Sequence, residues 1–411
     1  MSGYFAFLRE NRRFLAYGYL LSLGSSFGQT FFISLSGAEI RAAFDLTHGG
    51  FGLAYLVATL LSGSAMMWAG HRIDTVDLRR YSAAVCAGLA AACFLLALAS
   101  GLVLLYLALF ALRLTGQGLM THTSMTSMAR YFDAGRGKAI SIASLGMTTG
   151  EALFPLLAVG LIATLGWRGS WMAVGAVTAL LILPLLLWLL RGHGERHREM
   201  LERQSLAEDG GGPERRQWTR GEVVRDPRFY LMMPAVMIPA LVLTGLFFHQ
   251  VHLAEVKGWS LAWLATCFVG FAAAKVVAAL AAGPIIDRIG AARTLPWVMP
   301  PMILGLAVLA GFDHPIAAFV YMTASGITVG AGIASVGAMW PEFYGVRHVG
   351  AIRAMVSAMM VVATGLAPAA MGWLIDAGVP MTAITYGSLA LVVAATALLV
   401  FAVRRPEPIV A

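Results

Sequence analysis

The chain has 411 residues, of which 59% are hydrophobic and only 12% charged, and its mean hydropathy is +0.77. A soluble domain carries about 25% charged residues, so this composition excludes a water-soluble enzyme or binding domain of such length. The formal net charge of +8 suggests a nucleic-acid partner, a reading that the placement of the charges removes.

Apolar runs of roughly 20 residues, the length that crosses a hydrocarbon core as a helix, recur from end to end. They predict twelve spans near 14–36, 49–69, 81–99, 102–127, 139–164, 170–190, 229–251, 259–283, 294–311, 316–340, 352–373 and 383–403. The first run is too long for a signal h-region and has no persuasive cleavage site, so it reads as a true span. Loops on one side carry Arg9, Arg12, Arg13, Arg72, Arg79, Arg80, Arg130, Arg136 and Lys138, the arginines of a long central loop, and then Arg288, Arg293, Arg347, Arg353, Arg404 and Arg405. Loops on the other side hold only Arg41, Arg168 and Lys257. The positive-inside rule places both termini in the cytoplasm. The basic excess is topological, and no nucleic-acid partner is expected.

The second span closes with Gly70-His71-Arg72-Ile73-Asp74, and the eighth with Gly283-Pro284-Ile285-Ile286-Asp287-Arg288-Ile289-Gly290, half a chain later. Pro155 and Pro368, each in a Gly-rich apolar segment, are separated by the same interval. A signal repeated in register predicts two copies of one bundle. The segment 191–228 between them is polar and contains Gly210-Gly211-Gly212-Pro213; it cannot bury a core and reads as a cytoplasmic linker, with a short amphipathic helix near 197–204. The predicted organisation is therefore a six-helix bundle over 1–190, the linker over 191–228 and a second six-helix bundle over 229–411. An even number of crossings per half makes the repeat parallel. The fold class is an all-α polytopic membrane protein. Cys86, Cys93 and Cys267 are too few, and too deep in apolar runs, to suggest a disulfide framework.

Six plus six spans, the central loop and the Gly-x-x-x-Asp-Arg-x-Gly-x-x-Arg pattern resemble the major facilitator superfamily. The second copy (Gly283, Asp287, Arg288, Gly290, Arg293) matches well, whereas in the first Thr75 replaces the arginine and Asp77 the glycine. Arg113 with Gly116 and Gly118, and Gly146-x-x-x-Gly150 before Pro155, match further. Within the superfamily, Tyr131-Phe132-Asp133-Ala134-Gly135-Arg136-Gly137-Lys138-Ala139, Phe248-His249-Gln250 and the lone Lys275 are similar to the monocarboxylate and oxalate–formate porters. The aspartate–glycine opening of the first span in animal monocarboxylate porters is absent here. The resemblance implies alternating access. It also implies that Asp74 and Asp287 bias the conformational equilibrium by facing cations at the inner span ends: Arg353 for Asp74, and Arg136 or Lys138 for Asp287.

Charge inside a bilayer costs about 2.5–3.5 kcal/mol per residue even on permissive scales, so Arg113, Glu151 and Lys275, the deep charges, are the sharpest functional pointers. Arg113 and Lys275 come from different halves and read as cations for an anionic cargo. Glu151 reads as a proton carrier or as a structural partner of Arg113. Gln29 and Gln117 are cavity candidates, and His249 reads as substrate-facing or proton-sensing. His249, His252 and Glu255 share a helix face, but their third position falls in a loop and metal binding is not expected. No cofactor and no enzymatic constellation are expected. The sequence thus predicts a monomeric, multi-pass secondary transporter of the bacterial inner membrane, carrying a small mono- or dicarboxylate by proton coupling or by anion exchange. A proton-coupled exporter of hydrophobic cations is the alternative, and the net positive deep charge speaks against it.

Overall fold

A computed structural model describes residues 2–132, 135–194, 218–345 and 348–404. Asp133, Ala134, Arg347 and most of the central linker, including the amphipathic helix expected near 197–204, lie outside the described residues. Ten helical stretches among the described residues are long and apolar enough to cross a membrane. One of them, Arg136–Leu189, contains two spans, because Gly166 leaves the helix at φ 68° and ψ 170°. The first span is not among the ten, because it is broken. With it, the chain forms the expected twelve-helix fold. Helices dominate because hydrocarbon offers backbone groups no partner, so each segment must satisfy its own N–H and C=O groups.

Helix starts follow local capping chemistry. Asp77 accepts from Arg80 N at 3.1 Å to open Leu78–Leu98. Ser260 does the same from Trp263 N at 3.2 Å for Leu261–Ile289. Thr219 and Glu222 form a reciprocal capping box at the end of the linker. Each satisfies N–H groups that a helix start otherwise leaves open.

The first span departs from the continuous helix predicted over 14–36. Helix Ser2–Ser25 passes into a tight turn, Ser26–Gly28, and Gln29 is extended (φ −82°, ψ 153°) before Thr30–Ile33 and Gly37–Phe44. Ser25-Ser26-Phe27-Gly28 is a run of poor helix formers, and apolarity alone conceals it. The fourth span is also irregular: Leu102–Leu112 continues as a π-helical segment, Arg113–Met120, before Thr121–Tyr131.

The chain forms two compact units. The first comprises Met1–Asp45 and Val57–Gly212, and the second Leu46–Leu56 and Pro213–Ala411. In the first unit, Gly146 lies against the backbone of Tyr19 and Leu23, and Gly150 against Ser26. Small residues here let the fifth span approach the first closely. In the second unit, Gly326 and Gly330 of Ile316–Tyr344 lie against the backbone of Phe271 and Lys275 in Leu261–Ile289. Its core is centred on Phe229, Trp340 and Tyr344, and the Tyr344 hydroxyl donates to Asp226 Oδ2 at 3.0 Å.

Candidate functional site

In the first unit the break in span one meets the π-helical segment of span four. A Cβ on Gly28 would strike Leu112 O, Gln117 N and the Cα of Gly116, so the two backbones touch. π-Helical segments recur at functional sites because they offset the side chains of the turn that contains them. Arg113 opens this one and is only 5% exposed. Its Nη1 donates to Gly28 O at 3.4 Å and its Nε to Thr59 Oγ1 at 3.2 Å. The guanidinium thus faces the peptide where span one is interrupted.

Gln29, the next residue, donates from Nε2 to Met147 Sδ at 3.6 Å. Met147 is one helical turn before Glu151 on the same face of span five, and Glu151 is 8% exposed. Pro155 has no N–H to give the Glu151 carbonyl, which loosens the helix at that turn. Arg113, Gln29, Gln117 and Glu151, predicted separately, therefore surround one broken segment. Two buried polar atoms there, Gln117 Oε1 and Ser26 Oγ, have no hydrogen-bond partner among the described residues. Unsatisfied buried groups are rare in native proteins and mark places where water or a ligand binds.

In the second unit Lys275 lies at the centre of Leu261–Ile289 and is 7% exposed. Its Nζ is 5.9 Å from the Phe271 ring, and that ring packs 5.6 Å from Phe247 of span seven. An ammonium over an aromatic face gains about 0.5–2 kcal/mol, less than the burial of the charge costs. Span seven, Pro227–Phe248, breaks at His249 before Gln250–Lys257. His249 is 4% exposed, and its Nε2 donates to Pro368 O at 2.9 Å. Because a carbonyl oxygen only accepts, that bond requires the proton to be on Nε2.

The His249 ring lies 5.6 Å from that of His48, and His48 lies 4.6 Å from His252. Beside this imidazole cluster, Asp376 accepts from His48 N at 3.0 Å and Gly49 N at 2.8 Å, capping the start of His48–His71. Sequence reasoning missed both His48 and Asp376. Each is a single polar residue at a span end, with nothing to link them across more than 300 residues of chain. Among the described residues no group of three or more His, Cys, Asp or Glu is arranged to hold a metal.

The expected gating residues lie at span ends. Asp74 ends the turn Arg72–Asp74, its side chain being outside the described residues. Asp287, Arg136 and Lys138 are exposed; Arg136 Nε donates to Phe132 O at 3.3 Å, and Lys138 Nζ lies 5.9 Å from the Phe7 ring. Arg353 donates to Gly337 O, the carbonyl that Pro341 leaves without its helical N–H. Gly290, at φ 86°, is followed by Ala291 N and Ala292 N, which donate to the Glu342 carboxylate at 2.7 and 3.3 Å. The glycine of the repeated signal therefore permits a turn that Glu342 clamps.

The family model described as Major Facilitator Superfamily matches residues 18–269 and 258–410. Monocarboxylate transporter 6 of Mus musculus is 39% identical over 66 residues, a stretch amounting to 16% of this chain and 14% of that protein. Among solved structures, a bacterial homolog of the human lysosomal transporter Spinster, inward-facing and unoccupied, aligns with a TM-score of 0.68 at 16% identity over 97% of this chain and 99% of its own. The nucleoside transporter NupG aligns at 0.67 and 13% identity over 95% and 99%. At such identities the likeness is one of fold.

Proposed function

The chain belongs to the major facilitator superfamily, and from that premise we propose that it is a secondary transporter of a small organic anion, a mono- or dicarboxylate, with Arg113 and Lys275 as the cations that recognise it. The observation that carries this reading is the buried Arg113 guanidinium, set on a π-helical segment against the Gly28 carbonyl, where span one is interrupted; Gln117 Oε1 of the same segment and Ser26 Oγ of the interruption have no hydrogen-bond partner among the described residues. A cation buried at mid-span is expensive, and such residues mark substrate paths. The partial identity to a monocarboxylate transporter supports a carboxylate cargo. Arg113, Lys275 and Glu151 together are net positive when all are ionised, which favours anionic over cationic cargo.

Glu151 and His249 are the proposed proton carriers. A proton-coupled carrier accumulates its substrate when the cargo side is acidified, whereas an exchanger needs a counter-anion on the opposite side and no pH difference. The proposed setting is the bacterial inner membrane, with both termini cytoplasmic and the chain acting as a monomer. Uptake of labelled carboxylates into proteoliposomes tests the assignment. Arg113→Gln and Lys275→Gln are each expected to abolish uptake while the protein still reconstitutes, and normal uptake in either variant removes that cation from the site.

A further inference from the structure

The basic end of the first unit contains a cleft that the transport reading does not use. Helix Ser2–Ser25 and the end of span six enclose a cavity of about 600 Å³, and Arg9, Arg12, Arg13, Arg191 and His193 line it together with one acid, Glu10. A groove of about 560 Å³ adjoins it, with Arg12, Arg13, Leu189 and Arg191 common to both, and Ala16 and Trp188 completing its wall. One compartment is cationic and the other largely apolar.

Arg13 is already committed. It donates to Trp188 O at 2.8 Å and Arg191 O at 3.3 Å, and it lies 5.3 Å from the Trp188 ring. These bonds tie the first helix to carbonyls at and just beyond the C-terminal end of Leu183–Leu189. Arg9, Arg12 and Arg191 are exposed, and no ion pair among the described residues neutralises them. Like charges gathered this closely repel one another, and a bound anion relieves that repulsion. Trp188 is 48% exposed and amphipathic, as side chains at the level of lipid headgroups are.

We propose that this cleft binds a phospholipid of the leaflet on the basic side, its anionic phosphate headgroup against Arg9, Arg12 and Arg191 and an acyl chain along the groove beside Trp188. The pairing of a cationic pocket with an apolar extension fits an amphiphile, where free phosphate would fill only half of it. The proposal is independent of the cargo, since none of these residues lies near Arg113, Gln29 or Glu151 in the chain's spans.

The test uses the full-length protein, stripped of lipid in neutral detergent, and reads its melting temperature against added phosphatidylglycerol, phosphatidylcholine or inorganic phosphate. Phosphatidylglycerol is expected to raise the wild-type melting temperature by mass action, and the other two to do so little or not at all. Each arginine near an anionic lipid surface contributes about 1 kcal/mol, so Arg12→Gln and Arg191→Gln should each weaken the affinity roughly fivefold, and Arg12→Lys with Arg191→Lys should restore most of it. Arg288→Gln, at an exposed arginine elsewhere, should change nothing. Equal stabilisation of the wild type by phosphatidylcholine, or by inorganic phosphate alone, overturns the lipid assignment. So does an equal loss in the Arg288 variant. The wild-type comparison decides the matter even if a glutamine variant fails to fold.

Discussion

At the scale of single residues, the broken segment of span one poses an energetic question. Leaving a buried acceptor without a donor costs about 1–3 kcal/mol, and Gln117 Oε1 is in that position. If cargo or its water supplies the missing donor, removing the amide should help the empty protein and harm the loaded one. Gln117→Leu is therefore predicted to raise the melting temperature without substrate and to shrink the further rise that substrate produces. A lower melting temperature in the empty variant would mean that the amide has a structural role. Arg353 offers a second residue-scale test. Its guanidinium serves the carbonyl that Pro341 strands at Gly337, so Pro341→Ala, which returns the helical N–H, should make Arg353→Gln less damaging than it is in the wild type. A double-mutant cycle on thermal stability measures that coupling; purely additive effects would leave Arg353 with no role at the proline.

Elements are held together here by missing side chains. Gly28 and Gly116 meet backbone to backbone, and Gly330 meets the backbone of Lys275. Adding a methyl group in such a contact forces the backbone to move, at a typical cost of 1–3 kcal/mol, about that of other overpacking changes. Gly116→Ala and Gly330→Ala should each lower the melting temperature clearly and impair transport, because they displace the helices that carry Arg113 and Lys275. Gly160→Ala meets open space and should be neutral or mildly stabilising in its helix. Equal effects at all three positions would break the packing argument. In the second unit the Asp376 cap joins two span ends by charge-assisted bonds. Asp376→Asn keeps one acceptor oxygen but loses the charge, at a cost of about 0.5–2 kcal/mol for a cap; faster amide exchange at His48 and Gly49 is the expected sign. The sequence made the glycine pairs of the first half legible as Gly-x-x-x-Gly before a proline. It did not reveal Gly28 as a contact, because a glycine in a predicted continuous span reads as a packing residue rather than as the hinge of a break. The same blindness hid the divided span seven and the cap: hydropathy reports where a segment lies, while breaks and caps depend on one or two polar residues whose partners are remote in sequence.

At the scale of the whole molecule, periodicity, basic asymmetry and the repeated glycine–aspartate signal were sufficient to predict the twelve-helix fold, because a bilayer leaves few alternatives to apolar helices with basic inner loops. Recognition of a cargo rests on a few side chains, whereas the fold rests on the pattern of the whole chain. The repeated signal makes the last prediction. Its second copy is intact and ends in a turn that Gly290 permits and Glu342 clamps, whereas the first has Thr75 and Asp77 at the arginine and glycine positions. A carboxylate at a span end outside the binding segment has no reason to touch cargo, so its effect should fall on the balance between end states. A carrier that binds its cargo equally in both states keeps its affinity when their populations shift. Asp287→Asn should therefore change the relative labelling of cysteines introduced near the two ends of the spans while leaving substrate-induced stabilisation intact, and Asp74→Asn should do so to a smaller degree. Unchanged labelling in both variants would remove the aspartates from gating; a larger response from Asp74 would reverse the ranking that the worn first copy implies.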